Sequence, residues 1–240
     1  MALRHRWYRR WRRLGRLVLP PCCVFCGVAT RISERVMCAP CRAELPWNEP
    51  CCKACAAAVA LNSPEIPCGR CQSRPQPWCR ALAPLAFEFP IDAAVRAIKF
   101  HRRLEYLPAL VAVMTAAYRN SGLDCDVVVP VPLHASRHGR RGFNQAEELA
   151  RPLAKAAGLE LFNGARRVRR TAPQSGLDAA ARRRNLQAAF ELRAALRAEH
   201  ALIVDDVMTT GATAAELTRC LRRHGVPRVS VLVAARRTGL

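Results

Sequence analysis

Two adjacent carboxylates end an apolar run in LIVDDVMTTGATAAEL, residues 202–217, and a hydroxyl-rich turn follows at once. Asp205 and Asp206 suit the vicinal hydroxyls of a sugar, or a magnesium ion that accompanies it. Thr209, Thr210, Gly211, Ala212 and Thr213 come next, and then the pattern turns helical. A helix start offers backbone N–H groups without intrahelical partners, and with three hydroxyls beside them it can cradle a phosphate. Gly211 lets the backbone approach that phosphate closely. A phosphate beside a diol describes a ribose 5-phosphate. The plainer alternative, a capped helix that needs no ligand, leaves two charges at the end of an apolar strand unexplained. No GxxxxGK[ST] and no GxGxxG occurs, and a receiver-like acidic pocket would lack the threonine cradle.

Cysteine spacing carries a second chemistry. Cys23-x2-Cys26-x11-Cys38-x2-Cys41 is repeated about 30 residues on as Cys52-x2-Cys55-x12-Cys68-x2-Cys71. Each cassette supplies four thiolates in two knuckles, the donor set of a tetrahedral structural zinc, so two zinc ions are expected. A disulfide framework would need an oxidising compartment. Sequential pairing of the knuckles is simplest and interleaved pairing also satisfies the count. Cys22 and Cys51 compete as ligands. Cys79, Cys125 and Cys220 read as ordinary buried cysteines.

Other residues suit an anion. Arg137, Arg140 and Arg141 lie between a predicted strand and a predicted helix, and the planar guanidinium matches phosphate oxygens. A solvated basic loop is the alternative. Lys99 is one of only three lysines in an arginine-rich chain. It reads either as a point charge for a pyrophosphate or as a surface helix residue. His134 and His138 are loop histidines with general-acid chemistry. No triad and no nucleophile is visible.

These groups need elements to place them. PLAFEF, DVVVPVPL, ALIVDDV and RVSVLVAAR read as strands; IDAAVRAIKFH, EYLPALVAVMTAAYRN, NQAEELARPLAKAAG and ATAAELTRCLRRHG read as helices. Pro152 should kink or break the third helix. The alternation predicts an α/β domain with a mainly parallel sheet, whose ligands bind at the carboxyl ends of the strands, where Asp205 and Asp206 lie. ALIVDDV, apolar until its acids, reads as a central strand covered on both faces. The expected organisation is a basic arm at 1–20, a double zinc ribbon at 21–75 and the α/β domain at 82–240, with the proline-rich 73–84 as boundary.

A formal charge of +21, from 39 basic and 18 acidic residues among 240, favours polyanionic partners. The arm carries seven arginines between Arg4 and Arg16. With Trp7, Tyr8 and Trp11 it offers both phosphate contacts and stacking surfaces for single-stranded DNA. Solvated basic faces and an arginine-rich transit peptide are the alternatives. No apolar run approaches the ~20 residues of a membrane span, and a cytoplasmic protein is expected.

LIVDDVMTTGAT resembles the PRPP-binding motif of type I phosphoribosyltransferases. The cysteine-rich start, AIKF (97–100), VVPVPLHASRHGRRGFNQAEELA (128–150), RTAPQSGL (170–177) and RRRNLQAAFEL (182–192) resemble one branch, the ComF/GntX competence family. The resemblance covers nearly everything after the arm. It implies a type I phosphoribosyltransferase-like fold behind the double zinc ribbon. Asp205 and Asp206 would hold ribose hydroxyls, Thr209–Thr213 the 5-phosphate, and VPVPLHASR the pyrophosphate, with GRRGFNQ in a mobile hood. It also implies PRPP as ligand with magnesium, a link to uptake and use of DNA, and other DNA-uptake proteins as partners. The expected activity is phosphoribosyl transfer to an unidentified acceptor, or non-catalytic PRPP-responsive binding of single-stranded DNA. An amidophosphoribosyltransferase is disfavoured, because the start carries no terminal cysteine nucleophile.

Overall fold

A computed structural model describes residues 21–30, 36–59, 67–133, 142–168 and 189–237. The arm, Arg137, Arg140, Arg141, His134, His138 and the 170–177 motif lie outside them. Two compact units divide at residue 45: Met1–Leu45 and Pro46–Leu240.

The smaller unit holds the first cassette. Its knuckle closes on a Cys22–Ala29 bridge, with the Gly27 N–H donating to the Cys23 carbonyl at 2.8 Å. Gly27 takes φ +76°, which this tight turn requires. A short helix, α1 (Ala39–Ala43), starts directly after Cys38.

The larger unit opens with the same knuckle again. Cys51 bridges Ala58, and the Ala56 N–H donates to the Cys52 carbonyl at 2.7 Å. Ala56 stands where the first copy has glycine and still takes φ +53°. Its methyl group is fully buried in the domain core, which offsets the left-handed backbone. Helix α2 (Gly69–Ser73) follows Cys68 as α1 follows Cys38.

The α/β part is built on a parallel sheet in the order β1-β8-β7-β3-β4, with β2 continuing the β1 edge against β8. The strands are β1 (Arg80–Leu82), β2 (Leu85–Ala86), β3 (Val127–Pro130), β4 (Glu160–Leu161), β7 (His200–Met208) and β8 (Arg228–Arg236). A separate antiparallel pair joins β5 (Ala165–Arg167) to β6 (Phe190–Leu192). The helices are α3 (Ile91–His101), α4 (Leu107–Asn120) after a 3-10 turn at Leu104–Tyr106, α5 (Gln145–Ala157) and α6 (Ala212–Arg223). The expected α/β domain with a mainly parallel sheet behind two cysteine cassettes is what the chain forms.

β7 is central, paired in parallel register with β3 and with β8. Val127, Val129, Ile203, Val231 and Val233 cluster with Leu217, Cys220 and Leu221 of α6. Strand alternation turns Val128, Leu202, Val204 and Leu232 to the other face, where α4 and α5 cover them. The chain leaves β3 through α5 toward β4 and leaves β7 through α6 toward β8. The two connections run in opposite directions, so the carboxyl ends of β3 and β7 flank a topological switch point.

Three details depart from expectation. Only Leu85–Ala86 of PLAFEF is strand, and Arg80–Leu82, within the proline-rich 73–84, adds an edge strand. α5 runs through Pro152 as one helix: Pro152 is on the solvent face, so the Glu148 carbonyl that loses its partner is turned to water. Cys79 is exposed, whereas Cys125 and Cys220 are buried.

Candidate functional site

The switch point is where the two acids sit. Pairing between β3 and β7 ends at Pro130 opposite Val204, while pairing with β8 continues through Asp205 to Met208. Past Val204 the acids therefore extend beyond the last paired residue of β3. Asp206 is 8% exposed, and its Oδ2 lies 2.7 Å from Lys99 Nζ at the end of α3. The carboxylates also brace the strand end: Asp205 Oδ1 accepts from the Asp206 N–H at 2.9 Å, and Asp206 Oδ1 from the Val207 N–H at 2.7 Å. Burial and the neighbouring Asp206 push the Asp205 carboxyl up to about 7, with Lys99 and Arg167 pulling the other way. The site thus holds an acid poised to gain or lose a proton near neutrality.

Lys99 reaches Asp206 because α3 buries Ile91, Ala94, Val95 and Ile98 on one stripe, which leaves the following residue at its edge. Asp92 in the first turn and Lys99 and His101 in the last complement the helix dipole. The left-handed Arg102 ends the helix by donating its N–H to the Ala97 carbonyl.

The turn after the acids folds back tightly. Gly211 takes φ +79°, and a Cβ there would stand 2.9 Å from Cη2 of Trp78. Both the backbone and the packing thus demand glycine. Thr210 Oγ1 accepts from the Ala212 N–H at 3.3 Å, and α6 begins there without a side-chain cap on Gly211. Thr209, Thr210, Ala212 and Thr213 are half-buried. Together they form a half-enclosed turn at the positive end of a twelve-residue helix, a geometry that takes anions.

The segment between β3 and α5 is pinned at its base. Asn144 caps α5 by accepting from the Ala146 N–H at 3.2 Å, and its amide donates to the Val131 carbonyl at 3.1 Å. One side chain thereby ties Val131, just past β3, to the start of α5.

The structure sets Lys99 against Asp206 and carries Asp205 and Asp206 directly along β7 into the Thr209–Thr213 turn and the start of α6. It also adds residues that local pattern could not assign. Arg167 on β5 is buried, lies over the Phe190 ring at 5.7 Å and acts on Asp205; in the sequence it is one arginine of a basic run. Arg236, the last residue of β8, donates to the Met208 and Thr209 carbonyls of the turn. An arginine closing an apolar strand was the available signal.

Each cassette gathers its own four sulfurs within 4.8 Å of one another: Cys23, Cys26, Cys38, Cys41, and Cys52, Cys55, Cys68, Cys71. The Cys26–Cys38 and Cys55–Cys68 sulfurs are 3.7 Å apart. Four sulfurs at ~2.3 Å from one zinc stand about 3.8 Å from each other, so the spacing fits a tetrahedral ion. All thirteen cysteines are free thiols, and pairing within each cassette is sequential. Burial and the neighbouring sulfurs push the Cys41 and Cys55 thiols up, so a metal must expel protons to bind. Among the described residues, no helix is long and apolar enough to cross a membrane.

Comparison with known proteins agrees with this organisation. Residues 14–72 match the double zinc ribbon domain family. DNA utilization protein YhgH of Salmonella typhimurium is 38% identical over 90% of this chain and 96% of its own, and the Escherichia coli K12 protein of that name is 35% identical over the same shares. Competence protein F of Haemophilus influenzae is 28% identical over 89% of this chain and 96% of its own. The solved structure of the allosteric regulatory enzyme of purine biosynthesis is similar over 53% of this chain, at 20% identity and a TM-score of 0.35; the match spans 25% of that chain's length. With more than a third of its residues shared with relatives along nearly their whole length, the chain belongs to the ComF/GntX family of DNA-utilization and competence proteins.

Proposed function

We propose that the switch point between β3 and β7 binds PRPP, and that the protein is a phosphoribosyltransferase-family member serving the uptake and use of DNA. The observation that carries this reading is the pair Asp205–Asp206 at the switch point, continued without a break into the Gly211 turn and the start of α6. In it the acids take the ribose hydroxyls, and the Thr209–Thr213 turn takes the 5-phosphate. Lys99, Arg137 and Arg141 supply positive charge for the pyrophosphate. Magnesium neutralises the pyrophosphate when bound, and the hard oxygens of the two acids suit it. In transfer, an acceptor nucleophile forms a bond to C1 of the ribose; the C1–O bond breaks and its electron pair leaves with pyrophosphate. Such a step needs orientation and charge stabilisation rather than a protein nucleophile.

The test is a calorimetric titration of the full chain with PRPP and magnesium, followed by a screen of bases for pyrophosphate release. Saturable binding that Asp206→Ala weakens supports the assignment; wild-type protein that binds no PRPP refutes it. The net charge of +21 and the DNA-utilization names of the relatives favour a second reading. In it PRPP is a regulatory ligand and single-stranded DNA the partner, with other DNA-uptake proteins in a cytoplasmic setting. PRPP binding that shifts DNA affinity, without pyrophosphate release from any acceptor, selects this second reading.

A further inference from the structure

Three consecutive carbonyls of the second knuckle accept side-chain hydrogen bonds from residues outside the cassette. Trp78 Nε1 donates to Ala54 at 2.6 Å, Arg236 Nε to Cys55 at 3.1 Å, and Asn48 Nδ2 to Ala56 at 2.9 Å. Two of these donors also hold the turn that follows the acids. Arg236 Nη1 donates to Met208 at 2.9 Å and to Thr209. Trp78 presses its ring edge against Gly211, leaving no room for a Cβ. One guanidinium and one indole thus connect the Cys55 knuckle to both ends of the Met208–Gly211 segment.

Charge points the same way. Arg236 is 5% exposed, and among the described residues no carboxylate pairs with it. A buried cation without a counter-charge is costly. A zinc ion with four thiolates carries net negative charge, and Cys55, Cys68 and Cys71 are close enough for their sulfurs to act on the guanidinium. The loaded cassette thus offers Arg236 the counter-charge that no described carboxylate supplies.

We propose that the second zinc site is the rear support of the phosphate turn. Metal occupancy at Cys52, Cys55, Cys68 and Cys71 and anion affinity at Thr209–Thr213 are thermodynamically linked, with Arg236 and Trp78 as positioning residues. The ligand in this statement rests on the PRPP reading above; the mechanical link does not. Metal loss frees the knuckle, the guanidinium loses its counter-charge, and the turn loses the geometry in which its amides converge. Linkage is reciprocal, so a bound anion must retain the second ion in turn.

The experiment uses full-length protein as wild type, Cys38→Ser, Cys68→Ser, Arg236→Lys and Trp78→Phe. Zinc content, PRPP–magnesium affinity and hydrogen exchange at residues 208–213 are measured on each. Cys38→Ser loses one ion and keeps its PRPP affinity, because the first cassette belongs to the other compact unit. Cys68→Ser loses one ion and weakens PRPP binding by about 5- to 150-fold, the usual span of site-to-site coupling. Arg236→Lys keeps the charge and loses the fork, and Trp78→Phe keeps an aromatic ring but loses both the N–H and the ring edge that meets Gly211. Both keep two ions, weaken PRPP binding and raise exchange at 208–213, and they decide the matter if Cys68→Ser does not fold. Saturating PRPP slows the transfer of one of the two ions to a chelator, an effect that a general loss of stability does not produce. Equal PRPP affinity in Cys38→Ser, Arg236→Lys and Trp78→Phe, or equal release of both ions with and without PRPP, overturns the link. If wild type binds no PRPP, the ligand assignment falls and hydrogen exchange alone decides: removing the second ion must raise exchange at 208–213, and unchanged exchange overturns the link.

Discussion

Asp205→Asn separates the stability of the free protein from its capacity to bind. In the folded chain the Asp205 carboxyl titrates at about 7, against 3.8 for the ordinary group. The folded state therefore holds on to its proton where the unfolded state has lost it. Stability from this group is fully present below pH 3.8 and is lost as pH rises through 7. Forcing the charge on it costs on the order of 4 kcal/mol at pH 8 and less at pH 5. Asparagine is isosteric, keeps an oxygen to accept the Asp206 N–H, and carries no charge beside Asp206. We expect Asp205→Asn to be more stable than wild type at pH 8, with an advantage that shrinks on acidification. Paired denaturant titrations with zinc present, at pH 8 and pH 5, measure the difference. The same variant should bind PRPP more weakly by about 1 kcal/mol, the difference between a charge-assisted hydrogen bond to the sugar and a neutral one. A variant no more stable than wild type at pH 8 refutes the crowding of the two acids. A variant that is stabilised and binds PRPP as before refutes their role in the site.

Gly211→Ala should destabilise the fold by ~1–3 kcal/mol in denaturant melts, because its Cβ meets Trp78 and its backbone is left-handed. Asn144→Ala removes a helix cap together with the clamp on Val131; a loss of ~1–3 kcal/mol is expected, with faster proteolysis of the 131–144 segment as a second readout. Elemental analysis of the purified protein should find close to two zinc ions per chain. Cys26→Ser should leave one, and two ions retained in that variant would rule out Cys26 as a zinc ligand. Deleting residues 1–16 should weaken binding to single-stranded oligonucleotides and flatten its salt dependence, as fewer counterions are released. Unchanged binding across a salt series would leave the arm without a role in DNA contact.

Local pattern is enough for much of this molecule. α3 and β8 span the residues that the sequence pattern marks, 91–101 and 228–236, because α3 buries a simple helical stripe and β8 is an apolar run buried nearly throughout. The cysteine knuckles are legible because a metal ligand set must be close in sequence as well as in space. The acid pair and its threonine turn are legible because strand, turn and helix start are contiguous, so chemistry and geometry are written in one stretch. Other parts could only be decided by the folded chain. β4, β5 and β6 are two or three residues long, too short for a period to show. Whether the two cysteine cassettes pair sequentially or interleave is a question of proximity that spacing leaves open. Lys99 gains its meaning only when α3 delivers it to Asp206, and Arg167 when β5 brings it to Asp205. Arg236 reads as the last residue of a strand until the fold sets it against Cys55, 181 positions away. Nearest neighbours along the chain set propensity and periodicity. A buried charge takes its partners from wherever packing places them, and that placement is a property of the whole core.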